Sequence, residues 1–460
     1  MIKLFEARRG VPVPEKKELT AHKPIVDGPE SSKLVFPMSM HIGAPAEIVV
    51  GVGDLVEVGT LIGDAKKTIS ANIHSSISGK VRAIEERQSF QGKSKCVIIE
   101  NDGKYTEKRF DPLDETISID TFLKRLSDAG ITGKGGAGFP THVKLSPTEK
   151  GHKYILVNGA ECEPYSTADQ RVMIEHTSDI LRTMNFLHQL FEIEKTIIAI
   201  EDNKPDAIQC FEEEIKKQGL DHINLHKVES RYPQGDQGVL LKAVLNIEVP
   251  EEDNANDVGL ISSNVSTFKA IHDAVFEGES LTSRVITITG PVIRNPQNIR
   301  ARIGTPVQDL VDACDGFSGE VHRMVSGGPM MGEPFSDMSI PVAKDTTTLL
   351  FLPPDPEMEL TERPCIRCAK CIDACPVYLQ PILISNAYRE ERWDLCKVLK
   401  AETCINCGCC TYICPSKIPL LEDIKKAVSR LEEIDEEKEE KEKEKKENHK
   451  NEKEQKEGES

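Results

Sequence analysis

Short runs of alternating apolar residues, broken by glycines, characterise residues 35–100. Residues 49–59 alternate apolar positions with glycine, and residues 73–81 repeat the pattern. Alternation with period two and closely spaced turns is typical of short β-strands. The pattern predicts an N-terminal β domain made of two similar halves, which we assign to residues 1–110.

A different pattern, in which strand-like and helix-like segments alternate, occupies residues 111–280. Residues 154–157 and 196–200 are short apolar runs of the kind found in buried strands, whereas 174–191 and 205–218 have the periodicity of amphipathic helices. Alternation of this kind predicts an α/β layer fold.

Two smaller segments follow this core. Residues 281–345 combine an apolar strand at 285–290, a short helix at 307–313 and a Gly-Gly-Pro turn, which together predict a small β-grasp-like module. Residues 432–460 contain 14 acidic and 8 basic residues and one apolar residue, Ile434. Such a segment cannot form a core, so a charged disordered tail is expected, with a frayed single helix as the alternative.

The composition sets outer bounds on function. A chain of 460 residues with 38% hydrophobic residues suggests about three domains. A net charge of −18 and an aromatic content of 5% argue against nucleic-acid binding, which needs clustered Lys and Arg. The sequence has neither an apolar run of about 18 residues nor the apolar core of a signal peptide, so we expect it neither to span a membrane nor to be exported.

Ten of the 14 cysteines lie between Cys365 and Cys414, and eight of them form two identical runs. Each run has the spacing Cys-x2-Cys-x2-Cys-x3-Cys-Pro of bacterial ferredoxins, in which the fourth cysteine ligates the other cluster. A zinc site would not need the third cysteine, the proline or the duplication. Residues 355–425 are therefore predicted to bind two [4Fe–4S] clusters. The first would be held by Cys365, Cys368, Cys371 and Cys414, and the second by Cys404, Cys407, Cys410 and Cys375. The neighbouring Cys409 and Cys396 are expected to be non-ligands.

A second group of motifs lies in the α/β segment. Residues 130–141 contain four glycines within six positions, together with Lys134, and such a loop lets backbone amides approach a phosphate, although it also fits a flexible turn. Glu161 and Glu163 follow a predicted strand, where α/β folds present ligands, but they are equally compatible with solvated loop charges. Asn264 is either a ligand-contacting residue or a helix N-cap.

These motifs resemble known families. The N-terminal β domain resembles the barrel-sandwich fold of lipoyl and biotinyl carriers, but Thr68 occupies the position of the modified lysine, next to Lys67, so the fold without the carrier function is favoured. The glycine loop and its continuation to residue 145 resemble the flavin-binding loop of the NADH-oxidising flavoprotein subunit of complex I. The whole order of domains is similar to the C-subunit family of Rnf-type electron transport complexes.

The resemblance implies a fold and a set of site residues. It implies a multidomain α/β and α+β protein with a barrel-sandwich domain, a Rossmann-like flavoprotein core, a soluble-ligand-binding β-grasp module and a two-cluster ferredoxin domain. NADH would be oxidised at FMN, and electrons would pass to the two clusters. By position, Gly133, Gly135, Gly136, Gly138 and Lys144 would contact FMN or nucleotide phosphate, and Glu161, Glu163 and Asn264 would face the flavin and nicotinamide. Complex I flavoproteins differ in carrying a single-cluster cysteine motif.

The resemblance also implies location and partners. We expect a peripheral subunit on the cytoplasmic side of the cell membrane, docked on an iron–sulfur partner and integral membrane subunits of an ion-translocating complex. The alternative is a soluble NADH-dependent flavin and iron–sulfur reductase similar to cobalamin reductase. A third class, a non-enzymatic two-cluster ferredoxin with a binding scaffold, leaves the glycine loop and the Glu161/Glu163 pair unexplained.

Overall fold

The computed structural model describes residues 4–5, 9–149, 151–248, 258–355 and 361–438. It divides into two compact units, and the chain enters the second unit twice. Unit 1 comprises residues 1–7 and 12–355, and unit 2 comprises residues 8–11 and 356–460. Each unit is described separately below.

The strands of the described residues all lie in unit 1 and are numbered along the chain. They are β1 Leu4–Phe5, β2 Ile25–Asp27, β3 Lys33–Pro37, β4 Glu47–Ile48, β5 Leu55–Val56, β6 Leu61–Asp64, β7 Ile73–His74, β8 Gly79–Ser89, β9 Gly92–Asn101, β10 Tyr154–Gly159, β11 Lys195–Glu201, β12 Ile223–Val228, β13 Leu260–Asn264, β14 Ser283–Thr289, β15 Gln297–Arg302, β16 Arg323–Ser326, β17 Glu333–Phe335 and β18 Thr348–Leu352.

The helices occur in both units. Unit 1 contains α1 Ile119–Asp128, α2 Thr141–Lys144, α3 Ala168–Glu175, α4 Thr177–Leu190, α5 Pro205–Gln218, α6 Gln237–Leu245, α7 Val265–Phe276 and α8 Val307–Ala313. Unit 2 contains α9 Lys370–Ala374, α10 Pro381–Arg389, α11 Trp393–Val398, α12 Cys409–Ile413 and α13, residues 420–438.

The barrel-sandwich domain consists of two antiparallel sheets, ordered β3-β9-β8-β5 and β4-β6-β7. Side chains on their inner faces, such as Phe36, Ile62 and Val97, are fully buried. Gly79 begins β8 with φ +152°, and a Cβ there would lie 1.9 Å from the carbonyl oxygen of Glu100, so only glycine fits. Lys67 is exposed between β6 and β7.

The α/β core contains a parallel sheet with the order β1-β12-β11-β10-β13. Strands β10 and β11 are buried on both faces, which explains why they are short continuous apolar runs rather than alternating ones. From β10 the chain moves outward through β11 and β12, then returns to place β13 on the other side of β10. The strand order therefore reverses between β10 and β13, and ligands of such sheets bind outside the carboxyl ends of the strands at this point.

The third domain of unit 1 is a six-stranded sheet, β17-β16-β18-β14-β15-β2, covered by α8. It extends past the predicted end at residue 345, because β18 pairs with both β14 and β16. It also includes β2, from the N-terminal segment, which pairs in parallel with β15.

Short segments of the predicted N-terminal domain, residues 1–110, pair with other parts of the protein. The β-barrel sheets begin at β3, whereas β1 joins the core sheet, residues 9–11 belong to unit 2, and β2 joins the β-grasp sheet. Strands of two or three residues contain too few positions to show an apolar–polar period. Their partners are distant in sequence, so the pattern gave no sign of them.

Unit 2 is built around the cysteine runs. The two runs adopt the same backbone, because residues 39 positions apart share a positive φ: Arg367 with Asn406 (both +56°), and Ala369 (+59°) with Gly408 (+74°). A short helix contains the third cysteine of each run: α9 contains Cys371 and α12 contains Cys410. The helix α13 continues to residue 438, so residues 432–438 are helical rather than disordered, and the rest of the predicted tail, 439–460, lies outside the described residues.

Candidate functional site

The glycine-rich loop is closed at its base and packs on unit 1 except at its tip. Thr132 bridges Pro140, and the amide of Gly133 donates to the carbonyl of Phe139 at 2.8 Å, which closes the base. The tip, including Gly135 and Gly136, is exposed. Gly136 has φ +109°, and no atom lies within 4 Å of the position that a Cβ would occupy. The tip therefore presents bare backbone to open space.

Three of the predicted contact positions, Gly135, Asn264 and Glu161, converge with Asp169 where the strand order reverses. A Cβ on Gly135 would lie 3.2 Å from the Cβ of Asn264, the last residue of β13. Asn264 caps α7 by accepting from the amide of Ser266 (2.8 Å) and donates to Asp169 Oδ2 (2.5 Å). The amide of Asp169 donates to Glu161 Oε1 at 2.9 Å, so the contacts are continuous from the loop to the end of β10.

Asp169 was not identified from the sequence. Loss of hydration, followed by the nearby charge of Glu161, raises the pKa of its carboxyl group to about 6. Asp169 lies in the first turn of α3, where an acidic residue ordinarily only stabilises a helix, so no sequence signal distinguished it.

The carboxylates of Glu161 and Glu163 point to different elements. Glu161 is buried and accepts hydrogen bonds from Ser166 Oγ (2.9 Å) and from the amide of Asp169 at the start of α3. Glu163 accepts from the amides of Met330 (3.2 Å) and Met331 (2.9 Å) in the β-grasp domain. Burial raises the pKa of Glu163 to about 7.

A residue from the N-terminal segment fixes the loop between these two carboxylates. The buried Lys17 Nζ donates to the carbonyl oxygens of Glu161 (2.8 Å), Glu163 (3.0 Å) and Ser166 (2.6 Å). Burial lowers its pKa. Lys17 lies almost 150 residues from the loop in sequence, within a segment assigned to another domain, so its role could not be read from the sequence.

The two lysines near the glycine loop are less available to bind a phosphate than the sequence suggests. Lys134 is buried, its Nζ is 3.3 Å from the carbonyl oxygen of Ser283, and burial lowers its pKa to about 7. Lys144 Nζ donates to Gln237 Oε1 at 3.1 Å, and burial lowers its pKa to about 8. Gly138, at the far base of the loop, packs against Asp345 rather than facing outward.

A separate cleft of about 730 Å³ is lined by Lys134 and Ile131 of this loop. Its lining includes none of the eight residues predicted to contact flavin, phosphate or nicotinamide. This cleft therefore lies apart from the residues predicted to contact the cofactor.

The loop after β12 also reaches the sheet edge and was not identified from the sequence. Asn158 Nδ2 donates to the carbonyl of Gly235 (2.8 Å), and the amide of Gly235 lies 3.3 Å from Cys162 Sγ. A Cβ on Gly235 would lie 2.3 Å from the carbonyl oxygen of Ala160. Gln234 is fully buried, and neither its Oε1 nor its Nε2 has a hydrogen-bond partner among the described residues. The sequence did offer one sign of this loop's role, because the loop begins directly after the parallel strand β12.

In unit 2, a cavity of about 530 Å³ is lined by cysteines from both runs. They are the four assigned to the first cluster: Cys365, Cys368, Cys371 and Cys414. Burial raises the pKa of Cys371, and a charge on Cys414 raises it further, which places the two sulfurs in electrostatic contact. The fourth cysteine of the second run thus lies beside the first three of the first run.

The other four cysteines are also close together. Burial raises the pKa of Cys404, and charges on Cys407 and Cys375 raise it further; Cys375 responds in the same way to Cys407. The pKa of Cys410 is raised by burial and then by Cys407 and Cys404. The reciprocal placement of Cys375 beside the second run matches that of Cys414 beside the first.

The two remaining cysteines of unit 2 differ in their surroundings. Cys396 is fully buried in the apolar core of the unit, among residues such as Ile384 and Leu420. Cys409 is also fully buried and forms a hydrogen bond with Cys407, so it lies beside the second set of thiols.

The number of thiols around this cavity suits a cube of four irons, which takes four cysteine ligands. Within the described ranges, no group of three or more His, Cys, Asp or Glu side chains is placed to hold a metal ion.

Across the part of the chain that the structure describes, no helix has both the length and the apolar character that crossing a membrane requires.

Family models match four segments of the chain. They are the RnfC barrel sandwich hybrid domain (residues 5–104), the Nuo51 FMN-binding domain (126–273), the SLBB domain (285–334) and a 4Fe-4S dicluster domain (364–418). They account for the barrel-sandwich, α/β, β-grasp and cysteine-run segments respectively, so the predicted set of domain types is confirmed at this level.

Curated relatives extend over most of the chain. The C subunit of the Na(+)-translocating ferredoxin:NAD(+) oxidoreductase complex of Acetobacterium woodii is 38% identical over 84% of this chain and 88% of its own. Its counterpart in the proton-translocating ferredoxin:NAD(+) oxidoreductase complex of Clostridium ljungdahlii is 38% identical over 86% and 87%. Among solved structures, an NAD+-reducing [NiFe]-hydrogenase in the H2-reduced state is 16% identical over 69% of this chain and 63% of its own, with a TM-score of 0.48.

The resemblance of the sequence to Rnf-type C subunits is thereby confirmed. Identity of 38% to two relatives, over more than four-fifths of each chain, covers both units. The chain belongs to the family of C subunits of ion-translocating ferredoxin:NAD(+) oxidoreductase complexes.

Proposed function

We propose that this protein transfers electrons between NAD(H) and two [4Fe–4S] clusters through FMN bound at the edge of the parallel sheet. As a member of the C-subunit family, the chain is part of an ion-translocating oxidoreductase complex whose cofactors include FMN and [4Fe–4S] clusters, with NAD(H) as substrate. The observation that carries the proposal is the pairing of an open glycine loop at the sheet's reversal point with two sets of four thiols.

The sheet edge fits a flavin nucleotide in two respects. The glycine tip leaves space where side chains would stand, and Gln234 has an amide group with no partner among the described residues, close to the end of β10. FMN, when bound, accepts hydride from NADH and passes on single electrons. The backbone of Gly133, Gly135 and Gly136 would hold its phosphate, since glycine lets peptide N–H groups approach an anion.

The side chains around this edge have separate roles in the proposal. Asn264 orients the loop tip and caps α7, whose N-terminus favours an anion. Lys144 would supply positive charge to the phosphate, because a pKa of about 8 still leaves its amine mostly protonated at pH 7. Glu161 and Glu163 would face the flavin and nicotinamide as orienting groups. Hydrogen bonds from the protein already hold each carboxylate in a fixed position.

In unit 2 the proposal is crossed ligation of the two clusters. Cys365, Cys368, Cys371 and Cys414 would hold one, and Cys404, Cys407, Cys410 and Cys375 the other. Support comes from the cavity shared by the first four and from the electrostatic contact of Cys375 with Cys404 and Cys407. Cys396 and Cys409 are not needed as ligands.

Substitution of one ligand tests this assignment. In anaerobically reconstituted protein, we expect one FMN and about eight iron atoms, from four per cube. Cys375→Ser should perturb the cluster held mainly by the second run, while Cys396→Ser, in the apolar core, serves as the control for loss of a buried thiol. If Cys375→Ser altered only the cluster that Cys365→Ser also removes, the crossed assignment would be wrong.

The position in the complex is the last part of the proposal. We propose that the protein is peripheral, lies on the cytoplasmic side, and docks on an iron–sulfur partner and on integral membrane subunits. Support comes from the named relatives, which are subunits of translocating complexes, and from a net charge of −18, which an anionic leaflet repels. Expressed alone the protein should stay in the supernatant, and with its partner subunits it should sediment with membranes. Binding to protein-free anionic liposomes would contradict this.

The soluble cobalamin-reductase-like alternative has less support. Such relatives would not need an N-terminal barrel, whereas residues 5–104 match the RnfC barrel domain.

A further inference from the structure

Arg9 belongs to unit 2, although it lies more than 350 residues before the cysteine runs. Its Nη1 donates to the carbonyl oxygen of Ile372 at 2.7 Å, and the amide of the next residue, Gly10, donates to the carbonyl of Ala374 at 3.2 Å. The guanidinium carbon lies 4.1 Å from the ring centroid of Tyr378. These three contacts lie on both sides of Cys375.

The local backbone explains why the N-terminal segment docks here. Ile372 and Ala374 are in the last turn of α9, the end of a helix that attracts positive charge, and the Ile372 carbonyl also accepts from the amide of Cys375 at 3.3 Å. The amide of Tyr378 donates to the carbonyl of Cys375 (3.3 Å), which fixes the ring after the turn. An arginine over a tyrosine face gains cation–π attraction.

Cys375 itself is buried, with 7% of its surface exposed, so charges near it are weakly screened. The amide of Leu379 lies 3.3 Å from its Sγ, and the contacts of Arg9 with Ile372 and Tyr378 hold a positive side chain in the backbone that surrounds it.

We infer that Arg9 is a positioning residue for the second [4Fe–4S] cluster, where its charge raises the reduction potential of that cluster relative to the first. The inference rests on the proposed function, in which Cys375 is a ligand of that cluster. Reduction of a cluster adds one negative charge, and net charge and hydrogen bonds near the ligands set its potential. The surrounding contacts hold the guanidinium in place, so the effect does not depend on a mobile side chain.

The test compares variants that separate charge from contact. Full-length protein is reconstituted anaerobically, and the midpoint potential of each cluster is measured by redox titration monitored by electron paramagnetic resonance. Arg9→Gln should shift one midpoint to a more negative value and leave the other unchanged. Arg9→Lys should restore most of the shift. The matched control is Arg430→Gln, which removes the same charge from a residue paired with Glu433 and Glu437 on α13.

Two further results make the outcome decisive. If Arg9→Gln retains all its iron and both midpoints equal those of the unaltered protein, the inference is overturned. If that variant does not retain its iron, Arg9→Met takes its place, because it keeps an apolar side chain against the ring of Tyr378 but removes the charge. A negative shift of one midpoint supports the inference, and unchanged midpoints reject it.

Failure of the proposed function gives a different result. The cluster shifted by Arg9→Gln should be the one perturbed by Cys375→Ser. If that cluster is instead the one removed by Cys365→Ser, the crossed ligation fails while the role of Arg9 stands. If the shifted cluster is untouched by Cys375→Ser, the role of Arg9 at Cys375 is refuted.

Discussion

Replacing Gly136 by alanine separates the strain of the glycine loop from its role in binding. Gly136 has φ +109°, and an added Cβ meets nothing within 4 Å, so the cost to the fold is backbone strain alone, about 1–2 kcal/mol. Gly92, the first residue of β9 after the turn from β8, is matched: its φ is +96°, and no atom lies within 4 Å of its Cβ position either. Gly136→Ala and Gly92→Ala should therefore lose similar stability in urea unfolding.

Their flavin affinities should differ. If the Gly136 backbone approaches the phosphate of FMN, a methyl group there displaces a charge-assisted hydrogen bond. Such a loss costs about 1.5–3 kcal/mol, which corresponds to roughly a 10- to 150-fold rise in Kd. Fluorescence titration of flavin-free protein with FMN measures the effect. Equal affinity of the two variants would refute the assignment of this loop to the phosphate.

Three further substitutions test the surrounding contacts. Asn264→Ala removes the cap of α7 and the bond to Asp169, and it should lower the free energy of unfolding by about 1 kcal/mol or more. Lys17→Met leaves three buried carbonyls without their donor and should cost about 3 kcal/mol or more, with weaker flavin retention, both read from unfolding and flavin release curves. The folded-state pKa of Glu163, about 7, is above its usual value, so the protonated carboxyl stabilises the fold at low pH. That contribution is lost as pH rises to about 7; a urea midpoint in Glu163→Gln that varies with pH as strongly as in the unaltered protein would contradict this.

The repeated cysteine run and the continuous apolar runs allowed the cysteine region and the α/β core to be predicted from the sequence. The helix at 205–218 coincides with α5, and residues 154–157 and 196–200 lie within β10 and β11. The predicted helix at 174–191 is instead the end of α3 and the whole of α4, separated at His176. The apolar period runs through this break, so periodicity alone could not detect it.

The parts that the sequence did not reveal are long-range pairings. Lys17, Asp169 and Gln234 acquire their roles only when β10, β12 and the N-terminal segment come together, and none of them lies in a recognisable motif. Strand β1 joins the parallel core sheet and β2 joins the β-grasp sheet for the same reason. Strands of two or three residues are specified by their partners rather than by their own pattern.

The central claim is that NAD(H), FMN and both clusters form one electron path within this protein. The most direct measurement is a stopped-flow experiment in which reconstituted, dithionite-reduced protein, freed of excess reductant, is mixed with NAD+ under anaerobic conditions. Flavin absorbance, cluster signals and NADH formation are followed together. We predict that both clusters are oxidised as NADH appears, and that Gly136→Ala slows this in proportion to its lost FMN. Clusters that remain reduced in the presence of NAD+ and a full complement of FMN would contradict the account.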